Sequence, residues 1–399
     1  MKGEKTLVRS AAPVRETLLP FHQPWMDAED ERAVVDTLRS GWLTKGPKTK
    51  AFEQAFASYV GAQHCIGLNS CTAALHLALE VAGVSAGDEV ITTPITFAST
   101  VNVIVHRGAR PVLVDVEDDT LNIDVGLLEQ AISPRTKAII PVDFAGHPCA
   151  LDSIGQIAAR HNLVTIEDAA HAVGAEYDGH RIGSISDMTC FSFYATKNIT
   201  SGEGGALTTD NGEWAEKIEI LSLHGITLDA WKRHHGTGYE HWAVTYPGYK
   251  YNMFDLQASL VLSQLSKIDS FWERRVELKK RFDSAFAGIP EIQCPVEKSN
   301  LKHAYHLYPI RIRPEMLTAE RDAIMNAIVA ENVGVGIHFR AVHLHPYYQN
   351  ELGFQRGICP CAERYSDRTI SLPFYPRMSD ADADDVIGAV SKVIQRFRR

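Results

Sequence analysis

The chain has 399 residues, 45% of them hydrophobic, and a formal net charge of −9. That length suits a large unit plus a smaller one. An acidic chain without a basic stripe argues against nucleic acid or an anionic membrane as the main partner, and leaves room for a local basic pocket that takes a phosphorylated small molecule.

The opening stretch, "MKGEKTLVRSAAPVRETLLPF", has no continuous apolar core and does not read as a secretory leader. No later apolar run is long enough to span a bilayer. The seven cysteines are scattered as in a reduced, cytosolic protein. Cys359 and Cys361, in "CPC", lack the spacing of a zinc ribbon or a redox pair.

In chain order, "MDAEDERAVVDTLRSGW" predicts a helix capped by Asp27, and "TKAFEQAFASYVG" a second helix stopped by Gly61. "HCIGLN" predicts a strand, and "SCTAALHLALEVAG" a helix that opens on small residues. Strands then alternate with helices: "EVITTP", "RPVLVDV", "KAIIPVDF" and "LVTIED" against "TFASTVNVIVHRG", "DVGLLEQAI" and "LDSIGQIAARHN". "MTCFSFYA" and "GGALTTD" add two strands, and "NGEWAEKIEILSLHG" a helix. Short runs rich in Val, Ile and Thr between amphipathic helices predict an α/β fold: a mostly parallel sheet with helices on both faces.

Residues 226–250 are polar and aperiodic, and read as a long loop of the functional or interfacial kind. "FDLQASLVLSQLSKIDSFWERRVELKKRFDSAF" predicts one long bridging helix. The tail holds one strand, "YHLYPIRI", and helices in "TAERDAIMNAIVAEN" and "SDADADDVIGAVSKVIQRF", a small α+β unit. The acids at 380–385 read as helix caps and dipole partners. The expected division is a partly disordered tail over 1–18 that docks near Leu19–Phe21, a large domain over 19–255, and a bridging helix with the small domain over 256–399.

In open α/β sheets, ligands bind beyond the carboxyl ends of the strands. Four features collect there. Ser70-Cys71-Thr72-Ala73 opens a helix and offers backbone amides to a phosphate, although neither a Walker loop nor a GxGxxG turn is present. Glu167 and Asp168 end an otherwise apolar strand, with His171 three residues on. Ser192 and Lys197 flank another strand end, before the glycine-rich "SGEGG". Phe97 follows a third strand; taken alone it reads as a core residue, and beside the others as a ring-stacking surface. A lysine, an acid, a phosphate cup and an aromatic are the parts that a pyridoxal 5′-phosphate site needs.

From about Leu19 onward the sequence resembles the DegT/DnrJ/EryC1/StrS family of sugar aminotransferases, within the fold-type I pyridoxal phosphate enzymes. The resemblance rests on "SGWLTKGPKTKAFE", "SCTAALHLAL", "AGDEVITTPITFAST", "IEDAAHAVGAEY", "FSFYATKNITSGEGGALTTDN", "PGYKYNMFDLQASLVLSQL", "GIHFRAVHLHPYY" and "SLPFYP". It implies that Lys197 holds the cofactor as a Schiff base and that Asp168 keeps the pyridine nitrogen protonated. It implies that His171 contacts the ring or its hydroxyl, that Thr72, Ala73 and Ser192 hold the phosphate, and that Phe97 stacks on the ring. Asn252 would reach the phosphate from a neighbouring subunit, which implies a homodimer with shared sites.

Leu43, Thr44, Lys45 and Gly46 in "LTKGPK", and His338, Phe339 and Arg340 in "HFR", match segments that line the substrate pocket. Lys45 and Arg340 suit a diphosphate, because their charge survives at neutral pH. The implied reaction moves an amino group from L-glutamate to carbon 4 of a UDP-linked 4-keto sugar, as in deoxyamino sugar and lipopolysaccharide biosynthesis. Amination at carbon 3 or of a keto-inositol is the rival enzyme reading, and a non-catalytic regulator of the same fold is the non-enzyme one. Family dehydratases carry histidine in place of the lysine, which Lys197 argues against.

Two positions depart from the pattern. Cys71 stands where many relatives have glycine or alanine, and is small enough to keep the helix start. Asp143 stands where relatives often have histidine, which implies an altered substrate contact.

Overall fold

The structure is a computed structural model that describes residues 12–227 and 241–399. Its strands up to residue 227 are β1 (His64–Leu68), β2 (Glu89–Thr92), β3 (Arg110–Leu113), β4 (Thr136–Ile140), β5 (Val164–Asp168), β6 (Glu176–Tyr177), β7 (His180–Arg181), β8 (Met188–Ser192) and β9 (Gly205–Thr209). Seven of them form one sheet in the order β1-β9-β8-β5-β4-β2-β3. β9 pairs antiparallel with both its neighbours and the other pairs are parallel, so β9 is the one reversed strand of the seven.

Strand periodicity assigns the residues to two cores. Ile91, Ile139, Phe191 and Ala206 face one way, and Val90, Ala138, Ile140, Cys190 and Leu207 the other. On the first face Phe52 and Phe56 of α2 (Pro47–Val60) pack edge-on against Phe193 and Phe191, at ring distances of 5.4 and 5.0 Å. α2 follows α1 (Ala28–Ser40), which has Asp27 as its cap, accepting from the Glu29 and Asp30 amides. On the second face lie α3 (Cys71–Val81) and α4 (Ala98–His106). α3 is apolar nearly all round because it is buried nearly all round. Both faces are covered, so the strands read as continuous apolar runs.

The stretch 254–286 is two helices, Asp255–Leu265 and Ile268–Phe286, and not the single one that its periodicity predicts. Neither glycine nor proline marks the break. Lys267 sits at it, with its Nζ drawn to Asp27 at 2.5 Å and Asp30 at 2.9 Å, and these long-range ion pairs leave no local signature.

The tail also carries more strand than "YHLYPIRI" alone. β10 (Ile292–Gln293), β11 (Leu301–Lys302), β12 (Tyr308–Ile312) and β13 (Thr369–Leu372) follow in chain order. β10, β12 and β13 form an antiparallel sheet over a separate core that includes Phe282, Phe286 and Ile310, and β11 joins β6 and β7. β13 has four residues and runs into Pro373, too short for its alternation to be read.

The N-terminal tail is held as far back as it is described. The Val14 amide donates to Glu331, Arg15 pairs with Asp382 and Asp385, and Leu19 bridges to Val333. Of the acids at 380–385, Asp382 belongs to the Ser379 cap, while Asp380 and Asp384 pair with Arg274 and Arg281. The predicted loop 226–250 falls mostly outside the described residues; at its ends Ile226 bridges Val244 and Leu223 bridges Lys250.

Candidate active site

The carboxyl ends of β1, β2, β5 and β8 lie on one side of the sheet, because these strands run the same way. Each end delivers a different side chain. β1 leads through Ser70 into α3, β2 leads to Phe97, β5 ends on Asp168, and β8 ends on Ser192. They line a cavity of about 580 Å³ together with Cys71, Thr72, His171 and Lys197; across it stand His306, His338 and Phe339 from the last third of the chain.

Asp168 is buried, and each of its carboxylate oxygens accepts a hydrogen bond. Oδ2 accepts from Thr100 Oγ1 at 2.7 Å, and Oδ1 accepts from the Ala170 amide at 3.2 Å. Burial raises its pKa, while the Thr100 hydroxyl, the Ala170 amide and the Lys197 charge hold it down. The same burial lowers Lys197 to about 8, against the pull of Asp168. An amine with such a pKa is available in its neutral form near physiological pH.

The histidines here are uncharged. Burial pushes His171 and His306 well below the ordinary range and His338 to about 4, and the Lys197 charge adds to this in each. Their hydrogen bonds set the tautomers. His171 Nδ1 accepts from the Ala145 amide at 3.3 Å, so its proton is on Nε2. Asn198 Nδ2 donates to the Ala304 carbonyl, so Asn198 Oδ1 faces His306 Nδ1 at 3.1 Å and the His306 proton is on Nδ1.

The start of α3 is a cradle of backbone. Ser70 caps it by accepting from the Ala73 amide at 3.1 Å. A Cβ on Gly205 would overlap the Ser70 carbonyl carbon, so only glycine lets β9 lie this close. Thr72 is exposed in the cavity, whereas Ala73 is buried behind it and is not among the lining residues. Phe97 is 64% exposed, so it is no core residue; its ring lies 6.2 Å from that of Phe339.

Other expected residues lie elsewhere. Leu43, Thr44, Lys45 and Gly46 do not line this cavity, and Lys45 is buried, with Nζ 3.1 Å from Glu219 and 3.7 Å from Glu53. Asn252 is buried, taking a 2.6 Å bond from Lys250 Nζ. Segments 43–46 and 252–255 are contiguous: the Asp255 amide donates to the Leu43 and Thr44 carbonyls, and its carboxylate accepts from the Gly46 amide at 2.8 Å. Arg340 is exposed beside Phe339, and donates to the Leu344 carbonyl. Asp143 does not face the cavity at all; it is fully buried, behind Asp168, which corrects its reading as a substrate contact. Thr100 and His306 went unseen in the sequence. Thr100 lies one helical turn from Thr96, a spacing that was legible; His306 is 109 positions from Lys197 and nothing local joins them.

The chain matches the DegT/DnrJ/EryC1/StrS aminotransferase family over residues 24–391. It is 49% identical over 382 residues to the spore coat polysaccharide biosynthesis protein SpsC of Bacillus subtilis, covering 96% of this chain and 98% of that one. Among solved structures, Spr1654 from Streptococcus pneumoniae in its PMP form superposes with a TM-score of 0.89 at 37% identity, covering 95% of this chain and 99% of that one; it has also been solved in a PLP form. Helicobacter pylori PseC, an aminotransferase involved in the biosynthesis of pseudoaminic acid, gives 0.89 at 29% identity, with 96% and 100% covered. The chain belongs to the DegT/DnrJ/EryC1/StrS aminotransferase family, and it is a sugar aminotransferase that uses pyridoxal phosphate.

Proposed function

We propose that the enzyme transfers an amino group from L-glutamate to carbon 4 of a nucleotide-linked keto sugar, with UDP as the nucleotide, in a cytoplasmic homodimer whose two copies complete each other's sites. The observation that carries the chemistry is Lys197, at a pKa of about 8, in one cavity with Asp168 and an exposed aromatic.

The residues present fit the cofactor. Lys197 would hold it covalently through Nζ, and Asp168 would face its ring nitrogen, whose positive charge would then take the place of the Lys197 charge. Thr72, Ser192 and the α3 backbone, with Ala73 behind, would hold the phosphate. Phe97 would cover one face of the ring, and His171 would meet the other or the ring hydroxyl. When bound, the group supplies an electron sink for the carbon that carries the amino group.

The chain's own residues do the rest. A released Lys197 amine takes up and returns a proton near neutral pH, which is what general acid–base work requires. The Thr100 hydroxyl favours the ionised form of Asp168 against its burial, and aims it. The neutral His171, His306 and His338 let the cavity accept an anionic substrate or donor without a fixed positive cluster to trap it.

The carbon-4 and UDP assignments rest on the resemblance carried by "GWLTKGPK". His338, Phe339 and the exposed Arg340 are the expected sugar and diphosphate contacts on this chain. Segments 43–46 and 252–255 are joined through Asp255, and we assign both to the neighbouring copy's cavity. Lys45 would serve there only by exchanging Glu219, a half-exposed partner, for the diphosphate.

The test is the absorbance spectrum of the holoenzyme. L-Glutamate is expected to bleach the visible band towards the near ultraviolet, and a UDP-4-keto sugar to restore it. A band that ignores glutamate would overturn the donor. Restoration by a keto-inositol and not by nucleotide sugars would overturn the substrate. If Asn252→Ala in mixed dimers impaired only the site of its own chain, the shared-site reading would fail.

A further inference from the structure

Behind Asp168 the structure buries two more carboxyl groups. Asp143 and Glu167 are each 0% exposed. One oxygen of each has a partner: Asp143 Oδ1 accepts from the Cys149 amide at 2.9 Å, and Glu167 Oε2 accepts from Thr189 Oγ1 at 3.0 Å. The other two, Asp143 Oδ2 and Glu167 Oε1, are buried without a partner. Orphaned oxygens in a dry site are costly, and two adjacent carboxylates cannot both stay ionised there.

We propose that Asp143 and Glu167 hold one proton between them, and that this shared proton is a positioning device for Asp168 and His171. Each link has a geometry. The Asp143 amide donates to the Asp168 carbonyl at 3.2 Å, and the Asp168 amide donates to the Pro141 carbonyl at 2.9 Å, so residues 141–143 grip both sides of Asp168. Glu167 precedes Asp168 on β5, so the carboxyl pair fastens the same two segments from the side chains. The Asp143–Cys149 bond closes the turn that carries Ala145, whose amide fixes the His171 tautomer. The pair therefore touches neither cofactor nor substrate, and acts through two residues that do.

Burial, reinforced by the Glu167 charge, pushes Asp143 well above the usual carboxylate range, and burial raises Glu167 as well. The two therefore titrate as a unit that keeps one proton. The groups that face the pair all oppose a second charge or are neutral: Asp168, the Cys149 and Cys190 thiols, and the Thr189 and Ser186 hydroxyls, with Glu117 also felt at Cys149.

The positioning half rests on the reading of Asp168 and His171 as cofactor contacts; the shared proton does not. Two measurements separate them. Infrared difference spectra of the holoenzyme against Asp143→Asn at mildly alkaline pH, where exposed acids are ionised, are expected to show a protonated carboxyl stretch in the wild type that the variant lacks. Its absence overturns the shared proton. Cofactor titration reads the positioning. Asp143→Asn supplies a fixed N–H donor to Glu167, and is expected to bind within about threefold of the wild type, whereas Asp143→Ala strands the Glu167 charge and is expected to bind at least about tenfold more weakly. Equal binding by both overturns the positioning role. Should Asp143→Ala fail to fold, Glu167→Gln takes its place as a second fixed-donor rescue, and loss of cofactor binding in both amide variants would overturn it equally.

Discussion

Thr100 Oγ1 donates to Asp168 Oδ2 across 2.7 Å, and Thr96 Oγ1 lies 2.7 Å from Thr100 Oγ1 in turn. All three side chains are buried. The carboxylate that we assign to the cofactor's ring nitrogen is thus aimed by a hydroxyl relay from Thr96, just before α4, to Thr100 on its first turn. A hydrogen bond to a charged group contributes about 1.5–3 kcal/mol. Thr100→Val keeps the shape and removes the donor, so cofactor affinity is expected to fall about tenfold or more, with Thr100→Ser near wild type. Absorbance titration of the cofactor-free protein reads both.

Lys197 sets a pH dependence whose sign is fixed. Its ordinary value is 10.5 and its value in the fold is about 8. Between these, the unfolded chain binds a proton that the fold has released, so this group makes the cofactor-free protein more stable as pH rises through that window; below about 8 its full cost is present. The neutral amine is the form that reacts with the cofactor's aldehyde. The rate at which the visible band forms is expected to rise with a midpoint near pH 8, well below that of a free lysine. Stopped-flow mixing measures it, and Lys197→Arg is expected to give no band.

Phe97 separates function from folding. It caps α4 by backbone alone, with no side-chain bond, and 64% of it is exposed. Surface substitutions of this kind change stability by about 0.5 kcal/mol or less. Phe97→Ala is therefore expected to melt with the wild type while binding the cofactor several-fold more weakly, since stacking on a ring is worth about 0.5–1.5 kcal/mol. Thermal unfolding of the cofactor-free protein and a cofactor titration check the two halves.

What the sequence made legible was local. The sheet could be read because β2, β4, β5 and β8 are buried on both faces, and Lys197, Asp168 and Phe97 because each ends or follows such a strand. What it hid was set by distant partners. Lys267 breaks a helix through Asp27 and Asp30, some 240 positions away. β13 is four residues that become a strand by pairing with β12, more than 50 positions away. Asp143 was read as an altered substrate contact because relatives often have histidine there; here the side chain is fully buried behind Asp168 and does not line the cavity. On the cavity's far wall His338 and Phe339 were reached through the resemblance, whereas no periodicity brings His306 to Lys197.

Asp255 is the last such long-range device. α2 starts at Gly46 without a side-chain cap of its own. Asp255, more than 200 positions on, supplies one: Oδ1 accepts from the Gly46 amide at 2.8 Å, the Thr49 amide at 2.9 Å and Thr49 Oγ1 at 2.7 Å, and Oδ2 accepts from the Lys48 amide at 3.1 Å. A buried carboxylate at a helix N-terminus satisfies the free amides there and meets the positive end of the dipole. Asp255→Asn turns one acceptor into a donor that faces other donors, and is expected to cost about 2–3 kcal/mol, read by chemical denaturation of the holoenzyme. Because Leu43–Gly46 hang on the same residue, the variant also tests their assignment to the neighbouring copy's cavity. At a temperature where it stays folded, KM for the keto sugar is expected to rise while the half-reaction with glutamate keeps its rate. An equal loss in both half-reactions would place Asp255 in the scaffold alone.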